Sequence, residues 1–182
     1  MAITKNNSYL QRLIGAAALD AAIYEEVEAD DRATTQAFAT VLLSSIAAGI
    51  GSREFGGATV GNIAFISTMA VLGWAAWALV TYSIGVRMFA QPQTRSNVGE
   101  LLRTIGFASA PGCLRVLGVL PGVMVPVFVV TAVWMLAAMV VAVRQALDYD
   151  STARAIAVCI VGWALAIGLA VVLSALFGRP LS

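Results

Sequence analysis

The side chains that could do chemistry are few and unevenly placed. Arg103 and Arg115 flank Pro111 inside a mostly apolar stretch, with eleven uncharged residues between them. Ionisable groups at membrane depth are costly, and a planar guanidinium matches phosphate and carboxylate oxygens. The pair is therefore the first candidate for holding a lipid phosphate or another anion. The plainer alternative pairs Arg103 with Glu100, three residues back, and leaves both arginines marking a membrane edge. Five carboxylates crowd one short run, Glu25, Glu26, Glu28, Asp30 and Asp31. They offer hard oxygen ligands but lack the alternate spacing and glycine of a calcium loop, so they read as a solvated face with no metal.

Other chemistry is missing. Histidine is absent, which removes the commonest general base and metal ligand, and with them Ser-His and Cys-His pairs and His-ligated haem. Cys113 and Cys159 both lie in apolar stretches, where a thiol serves as a small hydrophobe, and they form no disulfide framework. No glycine-rich phosphate cradle follows a strand, and a net charge of +1 gives no reason to expect nucleic acid. The expectation is a chain with no catalytic residue and no cofactor.

The elements that must position these residues are membrane helices. Hydrophobic residues make up 60% of the chain and charged ones 12%, with a mean hydropathy of +0.87, far from the balance of a soluble domain. The predicted fold is all-α, a polytopic membrane bundle of five transmembrane helices. Residues 1–32 form an N-terminal arm that is not a cleavable signal. Ser8 caps a short helix with Leu10, Leu13, Ile14 and Ala17 on one face and Gln11 and Arg12 on the other, and Asp20 caps a second. The first lies on the lipid headgroups or packs on the protein's own cytoplasmic face. The bundle covers 33–178, and 179–182 is a short tail.

The spans are Ala33 to Ser52, Asn62 to Val86, a proline-broken third segment around Pro111, Val123 to Val143 and Ala155 to Gly178. The third either crosses with a kink at Pro111 or dips in as two half-helices. Ala47 with Gly51, and Gly162, Ala166 and Gly168, are candidate helix-packing faces because small residues let backbones approach closely in lipid. The turn after the fourth span offers Arg144 to Asp148 and Asp150 to Arg154 as local ion pairs.

Charge decides between the two readings of the third segment. With five spans and a cytoplasmic N-terminus, Lys5, Arg12, Arg32, Arg87, Arg95, Arg103, Arg144 and Arg154 share the cytoplasmic side, and Arg53 and Arg179 lie opposite. That is a strong positive-inside bias, and a re-entrant third segment would abolish most of it.

Three stretches carry a resemblance: Leu-Asp-Ala-Ala-Ile-Tyr-Glu-Glu-Val (19–27), Glu-Leu-Leu-Arg-Thr-Ile-Gly-Phe-Ala-Ser-Ala-Pro (100–111), and the Trp134 helix running into Ala-Val-Arg-Gln-Ala-Leu-Asp-Tyr (142–149). From Leu10 to about Phe177 the chain resembles the Yip family, the Ypt/Rab-interacting five-span membrane proteins, in its bacterial form. The resemblance implies a five-helix bundle with a cytoplasmic arm. Eukaryotic relatives act as adaptors for small GTPases and as organisers of membrane traffic. The sequence has no Asp-Leu-Tyr-Gly-Pro lead-in to the first span, so GTPase binding is not carried over.

The expected function is that of a non-catalytic adaptor or accessory subunit in a bacterial cytoplasmic membrane. Its partners are membrane lipids and other membrane subunits, in a hetero- or homo-oligomer. The alternative is a small transporter or channel with its site at the broken third helix.

Overall fold

A computed structural model describes residues 7–52, 59–94 and 96–177, with side chains in the last helix described as far as 165 and at Gly168. Lys5, Arg53, Arg95, Gly178, Arg179 and the side chain of Ala166 lie outside the described residues.

Two short helices lead the chain. Helix α1 (Tyr9–Ala17) starts in a capping box: Ser8 Oγ accepts from the Gln11 amide at 3.4 Å, and Gln11 Oε1 accepts from the Ser8 amide at 2.9 Å. Helix α2 (Ala21–Ala29) is capped by Asp20, which accepts from the Ala22 amide at 3.0 Å. Arg12, set by the sequence on the face opposite Leu10 and Ile14, is on the side that turns inward: it is only 2% exposed, whereas Leu10 and Ile14 are 62% and 60% exposed. Leu13 and Ala17 do pack on the core. The guanidinium has turned inward because carboxylates on α2 and an amide on the next helix wait there, and Leu10 and Ile14 then point out.

Three helices are long and apolar enough to cross a membrane among the described residues: α3 (Ala33–Gly51), α4 (Val60–Arg87) and α6 (Met124–Ala146). Their outward faces carry Phe65, Leu72, Leu79, Val129, Val133 and Leu136, a density of exposed apolar surface that suits lipid and not water. Helix α7 (Thr152–Phe177) continues the apolar pattern. The expected third span is a composite. Helix α5 (Val98–Phe107), with an Asn97–Glu100 capping box, is followed by a 3-10 helix over Ala110–Val119 with Pro111 in its first turn.

This composite runs beside α3 in the same direction. A Cβ added at Gly106 would stand 2.6 Å from Ala37 Cβ, one at Gly112 would strike Ser44 Oγ, and one at Gly118 would stand 2.8 Å from the Gly51 carbonyl oxygen. Residue numbers climb together on both segments. Ten α residues at about 1.5 Å and ten 3-10 residues at about 2.0 Å give roughly 35 Å, against roughly 28 Å for the nineteen residues of α3. The opposite sense holds for α4, where Ser45 donates to Ser67 at 3.0 Å and Phe38 meets Trp74. Helix α7 closes against α4 through Trp77 and Trp163, whose rings pack edge to face at 5.7 Å.

Candidate functional site

The arm is tied down by two buried arginines. Arg12 donates from Nε to Glu26 at 2.9 Å, from Nη1 to Gln36 Oε1 at 2.9 Å and from Nη2 to Asp30 at 2.8 Å, joining α1, α2 and α3. The Asn7 amide also donates to Glu26, at 3.1 Å. Arg103, 5% exposed, donates from Nη1 to Asp31 at 2.9 Å and from Nε to the Glu28 carbonyl at 2.9 Å, with Nη2 on that same carbonyl. Arg103 thus pairs with Asp31, 72 positions away, and not with Glu100, which caps its own helix through Asn97. A pairing across segments was invisible to the i, i+3 rule.

Above this clamp lies an open polar cleft of about 780 Å³ between α2, α5, the 88–97 loop, the end of α6 and the turn after it. Glu25, Glu28, Glu100, Asp148 and Asp150 line it, with Arg144 as the cation. Gln145 donates to Glu25 at 2.8 Å and Gln93 to Asp150 at 2.6 Å, so loop, turn and arm are stitched together. Burial, with the carboxylates of Glu100 and Asp148 nearby, pushes the Glu28 carboxyl up to about 7 against the pull of Arg103. The expected local ion pairs of the turn are replaced. Arg144 donates to the carbonyls of Tyr149 and Asp150, at 3.2 and 3.5 Å, and Arg154 to that of Phe89 at 3.4 Å. Asp148 adopts φ 51°, outside the helix, so four-residue spacing no longer aligns these side chains.

Arg115 stands apart from Arg103. Its Nε donates to Thr131 Oγ1 at 3.2 Å and its guanidinium lies 5.3 Å over the Phe128 ring. The two arginines therefore face different surroundings and do not share one ligand. Of the small residues, Ala47 is buried, Gly51 abuts the Arg115 carbonyl and Phe128, and Gly162 abuts Trp77, where a Cβ would stand 3.0 Å from the ring. These are contacts within the chain. Gly168 is exposed, with open space where a Cβ would go.

Residues 21–173 match the family model of the Yip1 domain, which takes in α2, Arg103 with its partners, the cleft and the Arg115 surroundings, and leaves out α1 with Arg12. The chain belongs to the Yip1 family. Yip1 domains are generally non-catalytic membrane proteins that interact with proteins and lipids, and this Yip1 chain has the apolar helices of an integral membrane protein. No curated protein and no solved structure matches it.

The sequence reading missed the clamp partners, Asp31 and Glu26, and the glycines at 106, 112 and 118. For Gly112 and Gly118, both in the 3-10 helix, the available signal was their six-residue spacing, two turns that return to one face; Gly106 lies in α5 and is outside that rule.

Proposed function

We propose that this Yip1 chain is a non-catalytic adaptor of a bacterial cytoplasmic membrane. It crosses five times with its N-terminus in the cytoplasm and offers the polar cleft to another subunit. The observation that carries the reading is the double arginine clamp. A free amphipathic arm would be a lipid tether, whereas Arg12 and Arg103 fasten α2 as one wall of an open polar cleft. A preorganised wall lowers the ordering cost of binding. Among the described lining residues carboxylates outnumber arginines, so the cleft suits a basic segment of a partner. The common direction of α3 and the α5–3-10 composite supports the five crossings.

The test is site-specific photocrosslinking in native membranes from Gln93, in the cleft, and from Ile160, on the apolar surface. A discrete protein adduct from Gln93, lost on joint substitution Glu25→Lys and Asp150→Lys, is the expected result. An adduct that survives both reversals rejects the cleft as the docking place. Solute flux in liposomes holding this chain alone would replace the adaptor with a transporter.

A further inference from the structure

We infer that Arg115 holds the anionic head of a membrane lipid in a chamber between α3, α4, the 3-10 helix and α6, with the lipid tail lying in the groove between α6 and α7. Arg115 lines two adjoining cavities of about 360 and 310 Å³ that share Trp77, Ile105, Ser109, Met135 and Met139. Among the described residues no carboxylate pairs with it, and its one hydrogen bond uses Nε, leaving both Nη groups to a ligand.

The depth makes that imbalance informative. Thr131 lies seven residues in from Met124, about 10 Å along the helix at 1.5 Å per residue. A guanidinium so placed calls for a counter-charge. The neighbouring polar groups do not supply one. Ser109 spends its proton on the Gly106 carbonyl at 2.6 Å, and Trp77 carries a buried Nε1–H with no acceptor. The charge without a counter-charge is positive and the polar atom without a partner is an N–H, so the missing component is an anion and not a cation.

The walls say which anion. Apart from Arg115 and the serines they are apolar, which disfavours a fully hydrated ion. Leu136, Met139 and Trp163 are common to the chamber and to a groove of about 600 Å³ lined by Val140, Ile156 and Ile160. Leu136, Ile160 and Trp163 are exposed on the outer surface of the bundle. A single amphiphile can therefore place its head on Arg115 and its chain among lipid neighbours, with phosphate or carboxylate oxygens meeting the planar fork.

The full chain in nanodiscs of phosphatidylcholine, with and without phosphatidylglycerol, tests this by native mass spectrometry of the retained lipid. The wild type is expected to keep phosphatidylglycerol in preference to phosphatidylcholine. Arg115→Gln should lower that retention about tenfold, within the range of a charge-assisted hydrogen bond, and Arg115→Lys should restore part of it. Leu136→Trp fills the mouth between chamber and groove without touching a hydrogen bond. It should lower retention too, and it serves if Arg115→Gln fails to insert. Retention at the wild-type level in both Leu136→Trp and Arg115→Gln overturns the inference. Displacement of the lipid by inorganic phosphate alone would also overturn it, making the site one for a soluble anion.

Discussion

At the scale of single residues, the polar side chains divide into those that fasten the arm and those that charge the cleft. Arg12 is the strongest fastener because its guanidinium meets Glu26, Asp30 and Gln36 at once. Arg12→Met keeps the apolar stem and strands two carboxylates. The expected loss is about 2 kcal/mol, below the roughly 3–5 kcal/mol of a fully buried pair, because Glu26 and Asp30 remain 23% and 26% exposed. Faster hydrogen exchange confined to α1 and α2 is the check. Glu28 acts in the other direction. Its carboxyl titrates near 7 beside Glu25 on its own helix, Glu100 and Arg103 on α5 and Asp148 beyond α6, well above the 4.5 of an ordinary glutamate. Below about 4.5 both folded and unfolded chains hold the proton. Between 4.5 and 7 the unfolded chain has lost it and the folded chain has not, so stability falls as pH rises through that window. Glu28→Gln keeps the carbonyl that Arg103 uses. It should remove the slope and raise the melting temperature at pH 8, and a slope that persists in the variant would assign the titration elsewhere.

At the scale of elements, the close approach of α3 and the 3-10 helix rests on missing side chains. Gly112→Ala drives a methyl into Ser44 Oγ, while Met135 Sδ at 3.0 Å and Ser44 Cβ at 3.2 Å are close enough that each must give by a few tenths of an ångström. The expected destabilisation is about 1–3 kcal/mol, as for other overpacked contacts, and Ser44→Ala in the same chain should recover part of it. Gly51→Ala meets the backbone carbonyl of Arg115, so no side-chain truncation should rescue it. Thermal unfolding in detergent of the two singles and the double reads both statements. The same elements show what a sequence discloses. The caps Ser8, Asp20 and the long helices at 33–51, 60–87 and 124–146 were legible to within a few residues, because cap chemistry and apolar length are local properties. The 3-10 winding was not, since an apolar composition is silent on whether each residue rises 1.5 or 2.0 Å. Nor was the inward turn of Arg12, because a helical face assigns a side chain to a direction and not to the partners that wait there.

At the scale of the molecule, segments far apart in sequence meet at one end. Gln93 reaches Asp150, Arg154 reaches the Phe89 carbonyl, and Gln145 reaches Glu25. A hydrogen bond cannot bridge a hydrocarbon core of about 30 Å, so the 88–97 loop, the 147–151 turn and α2 must share a side. That condition is met if the α5–3-10 composite crosses fully, and it fails if the composite dips and returns, because α6 would then carry the turn to the opposite face. Cysteines placed at Ser96 and at Asp150, in a chain whose Cys113 and Cys159 are replaced by alanine, are expected to react with an impermeant maleimide from the same side of sealed vesicles. A cysteine at Pro121, just past the 3-10 helix, is expected to react only from the other. Should Ser96 and Pro121 label from one side, residues 98–119 form a re-entrant pair, and the gathering of arginines on one face loses its explanation.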